Sequence, residues 1–454
     1  MSYLKSLMEE AKKAADRTNE IKLRKHLNAD ALISTLRKRF DKIDDHRKGK
    51  PEISLTDALM SGFAVFSLKD QSLLSFDERR RKIPLNLMTI YGVGKIPCDT
   101  SLRDILDGVD PNDLRPLFKE TFRHLQRGKV LEKMVFMEGC YLLNLDGTGY
   151  FSSKERYNSS CMEKVHGSGA VTYYLQMLGA AIVHPDYKEV IPLCPEMIIK
   201  QDGSNKNDCE RNAAKRFLAH LRREHPHLPL IINEDALSSN APHIRDLEEN
   251  NIHYILGVKL GDHKYLFQDV EIASKAKETI EIIITDEKNP DIQHYFRIMN
   301  DVPLNQSNQE VRVNFLEYWE ENTLTGKTQH FSWITDFTIT KENAMQLMRG
   351  GRARWKIENE TFNTLKNQGY NFGHNYGLGK KNLSVVFVML MMLAFLVDQI
   401  QQLCCPLFNA LWKEWKTKKS LWEKIRYAFH GFVYESMEHL YRTLLGWVPI
   451  DLRQ

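Results

Sequence analysis

The sequence lacks a cysteine framework. Its seven cysteines (Cys98, Cys140, Cys161, Cys194, Cys209, Cys404 and Cys405) form no CxxC pair and no even spacing, which excludes a disulfide-stapled secreted scaffold. They read as reduced, mostly buried thiols of a cytosolic protein. No apolar segment follows Met1-Ser2-Tyr3-Leu4-Lys5, so no signal peptide is expected. No repeat recurs at solenoid periods. No strong charge of one sign is present either: the formal net charge is +4. That weakly basic total hides a bias in residues 1–50, where 14 Lys/Arg stand against 8 Asp/Glu. Such a bias suits a polyanionic partner, and it equally suits a solvated helical face. Long apolar runs are also absent, with one exception. Leu383 to Val397 is uncharged for 15 residues and is followed at once by Asp398. A membrane span needs about 20 residues, so a buried core helix over 383–400 is expected, and no membrane association.

What is present is an ordinary globular mix, 42% hydrophobic and 27% charged, long enough for about two or three domains. Residues 1–130 read as helical and charged, with Leu55, Leu59, Phe63 and Phe66 at helical spacing and no Cys/His zinc pattern. From about 138 the texture changes. Tyr141-Leu-Leu-Asn-Leu145 is a short apolar strand ending at Asp146. Thr172 to Val183 and Glu189 to Ile199 are two further strands around the turn His184-Pro185-Asp186. A helix over 208–224 leads to a fourth strand, Leu230 to Asn233, which runs into Glu234-Asp235. A helix over 242–250 and a fifth strand, Tyr254 to Val258, follow. Three adjacent strands and then strand–helix alternation predict a mixed α/β sheet. Residues 261–335 break this rhythm with four β-rich runs, a β insertion into the core. Helix resumes at 341–347, Gly350-Gly351 interrupts it, and a polar helix covers 352–366. Residues 401–454 are helical.

Two acids, Asp146 and Asp235, thus fall at strand ends, where α/β sheets gather their ligand sites. A close pair of carboxylates is stable when a divalent cation neutralises it, and hard oxygen donors suit Mg²⁺ or Mn²⁺. Each Asp alone is more often a turn former or a helix cap. The segment after Gly351 supplies a third acid: Arg354 and Glu358, four apart, share a helix face with Trp355. A surface ion pair is the ordinary meaning of that spacing. Arginine, however, also suits bidentate phosphate contact, and tryptophan suits stacking on a base.

The string RWKIENETFNTLKNQGYNFGHNYG resembles the third-acid helix of the IS4-like superfamily of bacterial insertion-sequence transposases. LLNLDGTGYFSS around Asp146 and LIINEDALSSNAPHIRDL around Asp235 match its other two acid contexts, in the same order. The resemblance covers about residues 135–400. It implies an RNase H-like core over 135–260 and 336–400 interrupted by the 261–335 insertion, with Asp146, Asp235 and Glu358 as catalytic residues and ligands of a two-metal Mg²⁺ site. It also implies cut-and-paste cleavage and strand transfer on double-stranded DNA at terminal inverted repeats and target, a homodimer on DNA, no small-molecule cofactor and a cytoplasmic, nucleoid-associated location. Residues 1–130 correspond to the end-binding region in position. The family's third motif is Y-x2-R-x3-E-x6-K. Arg354 and Glu358 fit it, Gly351 stands at the tyrosine, and Lys366 comes eight rather than seven residues after Glu358, about 80° round an ideal helix. That slip keeps Glu360 as the alternative third ligand. Arg352, Arg354, Trp355, Lys366, Thr148, Lys380 and Lys381 are the expected DNA contacts. A catalytically retired DNA-binding derivative and a Mg²⁺ nuclease without strand transfer are the alternatives.

Overall fold

The computed structural model describes residues 24–82, 85–200, 207–374 and 376–449. Strands come first along the chain as β1 (Val135–Met137), β2 (Cys140–Ser153), β3 (Met162–Val165), β4 (Val171–Val183), β5 (Ile191–Pro192) and β6 (Glu196–Ile198). After a helix over Glu210–Glu224 come β7 (Leu230–Glu234), a helix over Ala241–Glu249, and β8 (His253–Gly257). Beyond a helix over Lys264–Lys275 lie β9 (Ile280–Thr285), β10 (Ile292–Asn305), β11 (Asn308–Asn322) and β12 (Lys327–Thr335). They form one mixed sheet in the order β3-β4-β2-β7-β8-β12-β11-β10-β9, with β1 on β2 and β5 and β6 on β4.

The centre of this sheet is RNase H-like. β2 runs antiparallel to β4 and parallel to β7, and β7 runs parallel to β8. Parallel strands covered on both faces carry continuous apolar runs, as β7 does: every residue of Leu230–Glu234 is buried. Each parallel step uses a helix as its crossover. The second crossover helix is started by Asn240, whose side chain accepts from the His243 amide, with Pro242 in its first turn.

Three elements differ from expectation. β2 does not end at Asp146: its pairing with β7 stops at Asn144, while its hairpin with β4 continues to Ser153. Asp146 therefore stands where one ladder has ended and the other goes on. The strand expected over 189–199 is split into β5 and β6, since Pro192 and Pro195 have no amide to give the ladder. Gly350 and Gly351 do not interrupt a helix. They lie inside Ala344–Arg352, buried, where a Cβ would meet Ile255 and Phe136 at 2.9 Å or the Trp333 indole at 2.4 Å.

β9 to β12 continue the central sheet, joined by the antiparallel pairing of β12 with β8 at Trp333–Gly257 and its neighbours. Helices from both ends of the chain pack together at the other side. Leu55–Ser67 is buried along its whole length, and Gly62 admits Leu390 of the Leu383–Cys404 helix. Asp30 accepts from the amides of Met437 and Glu438 at 2.7 and 2.9 Å, and Asn86 bonds the Phe429 and Phe432 carbonyls. The Leu383–Cys404 helix has the length and composition to cross a membrane, and it is buried throughout inside the protein. The seven cysteines are unpaired, five of them buried.

Candidate active site

Two asparagines build the site. Asn144 on β2 and Asn233 on β7 are register partners and wholly buried. Asn144 donates to the Ala353 and Arg354 carbonyls at 2.8 and 3.2 Å. Asn233 donates to the Gly350 carbonyl at 2.8 Å and to Asn144 Oδ1 at 3.2 Å. A buried amide that satisfies main-chain carbonyls fixes its partner's position, because leaving those groups unpaired costs about 1–3 kcal/mol each. The third-acid segment is thereby tied to the two strands that bear the other acids. Asp146 and Asp235 each follow their asparagine by two residues, just past the last paired position of the β2–β7 ladder, so both leave it at the same end. Sequence reasoning missed these asparagines. The available signal was a polar residue inside each of two apolar runs, LLNLD and LIINED.

Asp146 and Asp235 line one cavity of about 500 Å³ together with Glu210, Glu234, Asp208 and His243. Asp235 Oδ1 accepts from the Leu237 amide at 2.9 Å. Glu234 is held by His243 at 2.6 Å and by Ser238, and Asp208 by Arg216. Glu210 lies against Gly147, where a Cβ would come within 2.1 Å of its carboxylate. Burial pushes Asp146 up to about 6, with Arg354 and the Gly147 amide acting against this and Glu358 and Glu210 adding to it. Glu210 is likewise raised by burial, then by Asp235 and Glu234.

Arg354 is shared by two of the predicted acids: its Nη1 lies 3.5 Å from Asp146 Oδ2 and 2.8 Å from Glu358 Oε1. Glu358 therefore faces Asp146. Glu360 is turned toward Lys356 and Lys418, each of which it helps to keep charged against burial. Phe362 docks the segment on β4, its ring lying where a Gly179 Cβ would be, 2.6 Å away, and Gly179 is the register partner of Asp146.

The expected DNA contacts divide. Trp355 is 57% exposed, and Lys366, Lys380 and Lys381 are exposed. The last two lie on a loop whose amides converge on Asp107 at 3.0 Å each. Thr148 does not share this exposure: it is buried in mid-strand opposite Met177, where the β2–β4 pairing continues past Asp146. Arg352 is engaged internally, 2.5 Å from Glu320 and over the Phe331 ring. The absent motif tyrosine also has a reason, since the Trp333 indole fills the space at Gly351. Gly351→Tyr is expected to cost about 1–3 kcal/mol by overpacking, with partial recovery in the G351Y/W333A double variant, read by chemical denaturation.

The donor chemistry suits a divalent cation. Asp146, Glu210 and Asp235 are hard oxygen donors around one cavity, and Asp146 is raised chiefly by burial, a cost that a bound cation would relieve. Among the described residues no three such side chains already converge on one point, and Glu358 is instead drawn to Arg354.

Residues 179–396 match the family model of the transposase DDE domain. The match takes in Asp235 and Glu358 and leaves Asp146 upstream of it. No curated protein matches the chain. The domain match supports a DDE transposase, an enzyme acting on DNA in a family that generally uses divalent metals.

Proposed function

We propose that this chain is an insertion-sequence transposase of the IS4-like kind, which excises its element by cut-and-paste cleavage and joins the ends to target DNA. The observation that carries this reading is that Asp146 and Asp235 line one cavity, two residues beyond the register-paired Asn144 and Asn233 of adjacent parallel strands, with the Glu358 segment tied to those strands by the two asparagines. Asp146, Asp235 and Glu358 would hold Mg²⁺ or Mn²⁺, and two such ions supply activation of a water or 3′-hydroxyl and stabilisation of the leaving oxygen. The protein's own part is positioning. Arg354 holds Glu358 toward Asp146 and turns to a phosphate when the acids are neutralised. Trp355 offers an exposed ring for base stacking, and Lys366, Lys380 and Lys381 offer charge to the backbone. Residues 1–130 form the end-binding region, 135–260 and 336–400 the catalytic core, 261–335 the insertion, and 401–454 a helical C-terminal region. Synapsis of two element ends calls for a dimer on DNA, acting in the cytoplasm at the nucleoid.

The test is purified protein with Mg²⁺ and a duplex carrying the element's terminal inverted repeats, scored for released element and for joined product. Glu358→Gln is expected to abolish both products, and Glu360→Gln to leave them within a few-fold of wild type. The reverse order would move the third ligand to Glu360. Nicks without joined product would make the chain a nuclease, and end binding without nicks a retired derivative.

A further inference from the structure

The third-acid segment departs from the motif it resembles by one residue, and its backbone departs from α-geometry at the same place. Eight regular steps of about 100° would carry Lys366 about 80° away from Glu358. Ile357–Phe362, however, is a π-helical turn, in which the Asn363 amide donates to the Glu358 carbonyl five residues back. Such a turn holds about 4.4 residues, roughly 82° per step. Four π steps to Phe362 and four α steps to Lys366 total about 730°, two revolutions to within about 10°. The motif's seven α steps total about 700°, so the two phases agree within about 30°.

Burial reports the same phase independently. Residues three and four beyond Glu358 would share its face in an α-helix. Here they are Thr361 and Phe362, and both are buried. Asn363 and Lys366 are exposed like Glu358, while the intervening Thr364 and Leu365 are buried. Asn367 donates to the Asn363 side-chain oxygen, so that contact uses the acceptor of Asn363 and not its NH₂ donor.

We propose that the π-turn is a register device: it absorbs one extra residue so that Glu358, Asn363 and Lys366 form a single exposed ridge gripping the DNA backbone beside Asp146. Asn363 gives a neutral hydrogen bond to the phosphodiester and Lys366 a charge. The inference rests on the DNA-acting reading above.

Binding of the full chain to a short duplex of arbitrary sequence, followed by fluorescence anisotropy in Ca²⁺ over a range of KCl, tests it. Lys366→Gln is expected to lower the slope of log K against log[salt] by about 0.9 and the affinity about five- to tenfold near 0.1 M salt. The K366N/N367K exchange keeps composition and net charge and moves the cation about 100° round the helix. It is expected to lose as much slope as Lys366→Gln. Asn363→Ala is expected to weaken binding severalfold with the slope unchanged. Deletion of Asn359 returns the segment to α-geometry with the motif's spacing and should keep wild-type affinity and slope. Wild-type binding by the exchanged variant, or a deletion variant that loses slope like Lys366→Gln, overturns the ridge. A wild-type protein that binds no duplex overturns the DNA-acting reading instead.

Discussion

Asp146→Asn is expected to silence Mg²⁺-dependent cleavage and, in the same protein, to stabilise the metal-free fold. Loss of cleavage should exceed the roughly 10–100-fold that a lost supporting contact costs at a metal site. The gain in stability follows from linkage. The native Asp146 carboxyl titrates at about 6, above its ordinary 3.8, because burial and then Glu358 and Glu210 outweigh Arg354 and the Gly147 amide. Between those two values the native state binds more protons than the unfolded chain, so this group's contribution falls as pH rises. Below about pH 4 both states are protonated and nothing is lost; above about pH 6 both are ionised and the full penalty stands. The shift corresponds to about 3 kcal/mol, and partial exposure brings it down to about 1–2 kcal/mol. Asparagine keeps the oxygen that accepts from Gly147 at 2.9 Å and carries no charge. In EDTA, urea unfolding at pH 7.5 should show the variant more stable by about that amount, with the difference vanishing near pH 4. Mg²⁺ should reverse the order by stabilising only the wild type, by about 2.7 kcal/mol at a hundredfold excess over its Kd. A variant equal to wild type in EDTA at every pH would show that Asp146 carries no unrelieved charge.

The strands that lead to Asp146 and Asp235 were legible in the sequence, because a short apolar run ending in polar residues has few meanings besides a buried strand. The mixed α/β core was legible for the same reason. What supports the acids was not. Asn144 and Asn233 are single polar letters whose partners, the carbonyls of Ala353, Arg354 and Gly350, are backbone groups more than a hundred residues away and leave no trace in composition. Gly350 and Gly351 look like helix breakers until Phe136 and Trp333 occupy the space their side chains would take. The turn over Ile357–Phe362 is π-helical, and a sequence carries no mark for such a turn, so the spacing from Glu358 to Lys366 does not by itself give their relative phase. Nearness to Asp146 in sequence does not bring Thr148 to the surface, because the β2–β4 hairpin continues past Asp146 and buries it.

Lys69→Met is expected to be the most destabilising single change away from the site, and the reason is a charge with nowhere else to go. Lys69 Nζ lies 2.5 Å from Asp398 Oδ2, with the two side chains 0% and 2% exposed. Tyr370 donates its hydroxyl to the same carboxylate, and the ammonium sits 4.1 Å from the Tyr370 ring and 3.9 Å from the Trp422 ring. Burial lowers Lys69 and raises Asp398, so each keeps its charge chiefly through the other. Four segments meet here: the end of the Leu55–Ser67 helix, the loop after the third acid, the Leu383–Cys404 helix and the Lys418–Gly431 helix. Removing one member of a buried pair strands the other and costs about 3–5 kcal/mol. Replacing both charges with apolar groups of similar size is close to neutral by the same principle. K69M/D398L should therefore recover most of the loss, short of about 1–3 kcal/mol for the orphaned Tyr370 hydroxyl. The triple variant K69M/D398L/Y370F should recover that as well. Additive losses in the double variant, read by urea unfolding, would show that the pair stabilises the fold outright. Recovery would show that it specifies which segments meet. Because the Tyr370 loop leads directly from the Glu358–Lys366 segment, limited proteolysis of Lys69→Met should cut first between residues 367 and 382, with the strands that carry Asn144 and Asn233 still intact.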